Sequence, residues 1–485
     1  MFDNPRIRRA SEWLRSHPVR AAAFVTWVTQ TAGVILQLVL IPLILCTMGR
    51  EKTGIWFYLL GWTAVLTLLD FGITPTVARQ ISYSGNNSSR VLNRRTGDFV
   101  RGRGKPAIVR VVACQLWFVR SVNYATVIVG IVLERWVIFR GNMSGDIDGR
   151  ICWYLLVLQV VLFNNSRVSS ALLTGLLKPA VDRIGLSVGL LSQNVFLIIM
   201  LKIRPSLVIA GTCFAVGAFL QYLVLRYFEN RIFGDYRRAT GFPNLAIARQ
   251  LWKLCWRFGI ANVASFGIFP INALLVGRFL GPAAVTSIAI PLRIANLMTE
   301  AIRAVFVPQV NFMSNYLGGN DIRALFSSFW QCLISSSVLA IIGYSLFAWL
   351  GPAFIAIWTN NCVIVAQSFM IITGLVCITA IVESVLACFV VAHGIFPFVG
   401  VAWIGALLNV SMACLFIPRY GVVGAMSATF AAQLLSTFWF ALFWTVRIMV
   451  RHARQSGWLV LRNGFLDAFR RIQFKQAEVG LGGGL

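Results

Sequence analysis

AAAFVTWVTQTAGVILQLVLIPLILC, residues 21–46, runs for 26 residues without one Asp, Glu, Lys or Arg. As an α-helix rising 1.5 Å per residue it extends about 39 Å, enough to cross the roughly 30 Å hydrocarbon core of a bilayer. Basic residues flank it, Arg15 and Arg20 before and Arg50 and Lys52 after. The small residues Ala21, Ala22 and Ala23 come before the run rather than after it, so it reads as a retained membrane span and not as a cleaved leader.

The whole chain agrees with this first span. Of its 485 residues 58% are hydrophobic and only 12% charged, against about 45–50% and about 25% in soluble domains. The 43 Lys and Arg outnumber the 16 Asp and Glu, giving a formal charge of +27. That excess does not indicate nucleic acid, because the basic residues lie between apolar runs instead of clustering on a polar surface. An aromatic content of 13% excludes disordered and collagen-like chains. The expected class is an all-α integral membrane protein.

Stretches of about 20 mainly apolar residues occur at 21–46, 54–78, 107–133, 151–177, 184–201, 207–228, 258–280, 285–313, 327–350, 363–391, 396–417 and 424–446. The eighth is the most polar, carrying Arg293, Asn296, Glu300, Arg303, Gln309 and Asn311. Loop charge decides whether it counts, since Lys and Arg favour the cytoplasmic side. With twelve spans and the N-terminus inside, and with Arg226 and Arg278 at span ends counted with their loops, 29 basic residues fall on the inside, 9 on the outside and 5 deeper within spans. Omitting the eighth span would carry the basic tail to the outside. Twelve spans with both termini cytoplasmic is therefore the expected topology. Trp56, Trp136, Trp153, Trp349 and Trp358 near outer ends, and Trp252, Trp256 and Trp444 near inner ones, fit interfacial belts.

The longest outside segment, Glu134 to Arg150, has about 17 residues, so no soluble domain is inserted. The organisation read from this is a basic cytoplasmic segment (1–20), a six-span lobe (21–228), a basic cytoplasmic connection (229–257), a second six-span lobe (258–446) and a basic cytoplasmic tail (447–485). A parallel duplication is suggested by matched landmarks. Met48-Gly49 ends span one and Leu280-Gly281 ends span seven, with Pro75 and Pro308 at similar distances beyond. Pro205, Gly211 and Gln221 are echoed by Pro418, Gly424 and Gln433. Two lobes related by a pseudo-twofold axis would place a substrate route at their interface, where polar faces avoid lipid.

Charged groups within spans cost about 2.5–3.5 kcal/mol each on insertion scales. Arg293, Asn296, Glu300 and Arg303 follow at i, i+3, i+7 and i+10, one narrow helical stripe. Glu300 and Arg303 are near enough to neutralise one another, whereas Arg293 has no acidic residue within a turn in sequence and is the stronger anion ligand. Arg120 lies midway along span three, and Arg167 in span four among Asn164, Asn165, Ser166, Ser169 and Ser170. Gln30 and Gln37 in span one, and Asn262, Ser265 and Asn272 in span seven, suit either glycan hydroxyls or interhelical hydrogen bonds. Asp70, Glu300 and Glu383 are candidate groups for H+ or Na+ coupling, with a buried ion pair to arginine the alternative for Asp70. Five arginines against three acids make the interior cationic, which suits an anionic ligand, phosphate above all. The ten cysteines form no C-x-x-C pair, and no disulfide, metal site or catalytic constellation is expected. His393 is expected to be a solvated turn residue.

Residues 41–54, IPLILCTMGREKTG, then WFYLLG and LLDFGITPTVARQIS (68–82), resemble the first two helices of the polysaccharide-transport, O-antigen-flippase (Wzx-like) branch of the multidrug/oligosaccharidyl-lipid/polysaccharide (MOP) exporter superfamily. Pro42, Gly49, Gly54, Asp70, Gly72 and Arg79 take the places of that branch's motif, with Thr53 where tyrosine is usual. The resemblance implies a MATE-like fold, alternating access, a bacterial inner membrane and a polyprenyl-diphosphate-linked oligosaccharide as cargo. Arg79 joins the arginines that would meet the pyrophosphate. Further partners expected on this reading are membrane lipids and the polysaccharide polymerase and glycosyltransferases of the same pathway.

Overall fold

A computed structural model describes residues 18–74, 76–78, 81, 105–139, 146–176, 178–233, 245–268, 270–306, 313, 316–317, 321–393 and 397–456. Among these the regular structure is helical throughout: α1 (Pro18–Thr67), α2 (Lys105–Leu133), α3 (Ile147–Gly175), α4 (Pro179–Ile203), α5 (Leu207–Phe233), α6 (Leu245–Ile268), α7 (Ile271–Leu280), α8 (Pro282–Phe306), α9 (Ile322–Trp358), α10 (Gln367–Ala392), α11 (Phe398–Leu435) and α12 (Thr437–Ser456). The chain forms two compact units, Met1–Val263 and Ala264–Leu485, dividing inside α6.

The helix ends follow local chemistry. Asp146 and Asp321 accept hydrogen bonds from the amides of Gly149 and Ala324, capping α3 and α9. Pro179 and Pro282 start α4 and α8, where the missing N–H costs nothing. The connection expected over 229–257 is largely helical at its ends, since α5 continues to Phe233 and α6 begins at Leu245. Span seven is two helices, α6 and α7, bent by 44°. Pro270 stands at this bend and has no amide hydrogen to continue the helix.

Nine of the described helical segments are long and apolar enough to span a membrane, and the bent pair makes a tenth. Two of them, Thr31–Asp70 and Phe398–Arg454, are 40 and 57 residues long, about 60 and 85 Å if straight. Both fold back at a glycine. In α11, Gly405 packs on Ser436 and Thr437, Asn409 bonds Thr429, and Gly424 packs on Phe416, an antiparallel hairpin about Gly421. In α1, Thr29 and Gly33 lie beside Ser187 and Leu190, so the first limb runs with α4. Trp56 packs edge-on to Phe214 of α5, and Asp70 meets Arg167 of α3, so the second limb touches both. The ten segments thus contain twelve passes.

Gly49 (φ 77°, ψ 170°) makes the first reversal, and Gly281, between α7 and α8, has nearly the same geometry (φ 85°, ψ 172°). A side chain at that φ/ψ collides with its own backbone, and the region is essentially restricted to glycine. The two landmarks matched in sequence are therefore the same turn, once in each unit. Pro75, Pro308, residues 1–17 and the tail beyond Ser456 lie outside the described residues.

Candidate functional site

In the first unit, the second limb of α1 ends in a 3-10 turn, Leu68–Asp70, followed by Phe71 and Gly72 with left-handed φ of 45° and 70°. The Leu-Asp-x-Gly motif is this break, and it sets Asp70 against α3. The carboxylate Oδ2 lies 2.9 Å from Arg167 Nη1, with 12% and 21% of the two side chains exposed. Thr74 donates to both carboxylate oxygens at 3.3–3.4 Å. The Arg167 guanidinium also lies 4.7 Å from the centre of the Phe163 ring. Of the two readings open for Asp70, the geometry displays the ion pair.

Further polar groups close on one another across α2, α3 and α5. Asn123 donates to Asn165 at 2.9 Å, Gln221 to Ser166 at 2.8 Å, and Ser169 to Glu229 at 2.6 Å, with Arg226 3.2 Å from Glu229. Asn164 is buried, and neither polar atom of its side chain has a partner among the described residues. Arg110 and Arg120 are exposed on α2, and Asn262 is exposed on α6. Gln37 is half-buried and engaged. The Gln30 side chain and Arg79 lie outside the described residues.

In the second unit, Arg293, Asn296, Glu300 and Arg303 are all exposed along one face of α8. Glu300 and Arg303 pair at 3.2 Å, and Arg303 donates to Ser384 of α10 at 3.4 Å. Glu383, next along α10, accepts from Thr437 Oγ1 at 2.9 Å, immediately after the helix is interrupted at Ser436. Glu383 has no cationic partner among the described residues.

Asn272 of α7 is wholly buried, and its amide is spent on its own unit: it donates to Thr429 and accepts from Asn409 at 3.2 Å. Asn409 in turn donates to the carbonyls of Gly267 and Ile268 at 2.9 and 3.0 Å. Those carbonyls sit at the end of α6, where the Pro270 bend interrupts the helix ladder. Asn409 and Thr429 were not singled out from sequence, although their spacing about Gly421 is what a tight hairpin aligns. His393 is half-buried rather than solvated. Its Nδ1 lies 2.8 Å from the Phe389 carbonyl and its Nε2 3.2 Å from His452 Nε2. The Phe389 and Phe326 rings lie against this pair.

No family model and no curated protein sequence matches the chain. Solved structures do. A lipid II flippase MurJ in an inward closed conformation aligns at TM-score 0.67 and 12% identity, over 94% of this chain and 99% of that one. An inward-facing multidrug resistance MATE family transporter of the MOP superfamily aligns at 0.63 and 11%, over 88% and 96%. The outward-facing conformation of a multidrug resistance MATE family transporter aligns at 0.56 and 11%, over 90% and 96%. The chain shares the fold of these solved structures. At these identities the likeness is one of fold, and it agrees with the MATE-like architecture expected from sequence. Among the described residues, several enclosed polar groups bond one another, and α8 carries an exposed charged face.

Proposed function

We propose that the protein is a flippase that moves polyprenyl-diphosphate-linked oligosaccharide units across the bacterial inner membrane by alternating access. The observation that carries this reading is the open face of α8. A helix otherwise apolar enough to span a membrane exposes two arginines, an asparagine and a glutamate in one stripe, and such a face needs water rather than lipid beside it. Arg293 at its head and Arg120 on α2 are suited to a pyrophosphate, which guanidinium engages through parallel hydrogen bonds. The fold shared with a lipid II flippase supports a lipid-linked cargo, and the motif resemblance favours a surface-polysaccharide pathway.

Glu383, intramembrane and bonded to Thr437 at an interrupted helix, supports H+ or Na+ coupling. It also supports the second reading, a cation-coupled multidrug exporter. Arg293→Ala and Arg120→Ala should abolish surface polysaccharide in cells that depend on this protein, with membrane insertion unchanged. Full complementation by both variants refutes the site. Drug resistance conferred without any effect on glycan assembly favours the exporter.

A further inference from the structure

Gln115 of α2 is 1% exposed, and neither its amide nitrogen nor its amide oxygen has a hydrogen-bond partner among the described residues. Buried polar groups in folded proteins are nearly always paired, so an amide left open on both atoms marks a place where something else bonds. Gln115 lines a recess within the first unit, about 320 Å³ when the open solvent at its mouth is counted, with about 30 Å³ of water-sized space inside it. Ile73 from just beyond the Phe71–Gly72 break, Phe118 from α2, and Leu251 and Cys255 from α6 form apolar walls. Trp117 and Trp252, 51% and 46% exposed, stand where the pocket opens. The Trp252 ring lies 6.0 Å from Phe118 and 5.8 Å from Phe71, so the opening is framed by aromatic rings. No charged side chain is among the described lining residues.

The chemistry of this lining narrows the ligand. A primary amide presents a donor and an acceptor side by side, and its complement is a group presenting an acceptor and a donor in the same spacing. A carboxamide and an un-ionised carboxylic acid both do so. A carboxylate has no donor, and its charge would be unpaired among apolar walls. An ester has no donor either. The walls themselves call for hydrocarbon.

We propose that this pocket binds an acyl lipid whose head is a carboxamide or carboxylic acid, held by both atoms of Gln115, with its chain leaving between Trp117 and Trp252. The site is independent of the transport reading and of the α8 face.

The test uses the full chain in phosphatidylcholine nanodiscs and a palmitamide carrying a photoreactive diazirine in its chain. Labelled peptides should map to residues 113–118 and 248–256. Unlabelled palmitamide should compete at all pH values, and palmitic acid only where it is protonated, which separates an amide lipid from a free fatty acid as the source. Methyl palmitate should compete about tenfold less well, and Gln115→Leu should weaken labelling about tenfold, the effect of losing one to two hydrogen bonds. Gln115→Leu should also fold at least as well as the parent, because it removes two unbonded buried atoms, and its thermal midpoint checks this. Labelling unchanged in Gln115→Leu, as when water alone serves the amide, overturns the proposal. So does equal competition by the methyl ester.

Discussion

Asp70→Asn leaves the Arg167 guanidinium without the charge that compensates it, and Arg167→Gln does the same to Asp70. Breaking one side of a fully buried ion pair costs about 3–5 kcal/mol. Here 12% of the Asp70 side chain and 21% of the Arg167 side chain remain exposed, and the Phe163 ring continues to hold the guanidinium, so about 2 kcal/mol is expected for either single change. For a unit of this size that lowers the thermal midpoint by about 4–8 °C. The double variant Asp70→Asn/Arg167→Gln removes both charges and should recover most of the loss, since neutral replacement of a pair is often without net cost. Buried thiols in the same unit, Cys114, Cys152 and Cys255, report unfolding through a thiol-reactive dye during heating in detergent. A double variant as unstable as the singles refutes charge compensation as the tie between the second limb and α3. A stable double variant that makes no surface polysaccharide shows that Asp70 works in transport and not only as a structural partner.

Gly281→Ala places a Cβ in backbone geometry that only glycine tolerates and should cost about 1–3 kcal/mol; Gly49→Ala should cost the same, and a smaller loss at either, read from thermal midpoints, removes the argument that the two turns are equivalent. Asn409→Ala unties the carbonyls of Gly267 and Ile268, Asn272 and Thr429 at once, and at roughly 0.6 kcal/mol per interhelical bond should lower stability by about 2 kcal/mol in the same assay. His393 predicts a pH dependence: its Nδ1 must donate to Phe389, leaving Nε2 to accept from His452, and burial holds its pKa below the ordinary 6.5. Because the folded form disfavours the proton, this contribution is complete above pH 6.5 and is lost as pH falls from there toward the folded value; hydrogen exchange at the α10–α12 contact should rise at acid pH in the parent but not in His393→Phe, and equal slopes would remove the assignment.

How much of this was legible in the sequence depended on how local the cause was. Long apolar runs, Gly49 and Gly281 act through their own few residues, and the twelve passes followed from them together with loop charge. The stripe on α8 is set by helical spacing alone and emerged as one exposed face. Meetings between helices left no such mark. Nothing adjacent to Asp70 in sequence points to Arg167, because their contact depends on the 3-10 turn and the left-handed Phe71 that aim the carboxylate at α3. Asn272 looked equally able to serve a glycan or a neighbouring helix, and only the hairpin at Gly421 brings Asn409 and Thr429 to it. His393 looked solvated because it ends an apolar span, but α12 extends to Ser456 and carries His452 to its side.

These two kinds of polar residue answer to different energetics. In Asn272–Asn409–Thr429, and in Ser169–Glu229–Arg226, buried capacity is spent on near neighbours, and such groups stabilise one packing of the helices. A ligand competing for them would have to replace bonds already made, so they gain little by facing a substrate. Arg293 and Asn296 on the open side of α8, and Arg120 on α2, are exposed instead. Exposed charge on a membrane span needs water or a polar partner beside it. On the proposed function, a cargo bearing a pyrophosphate would meet these arginines while leaving the enclosed networks undisturbed. For that reason changes on the exposed arginines should alter transport at constant stability, whereas changes in the enclosed clusters should alter stability first.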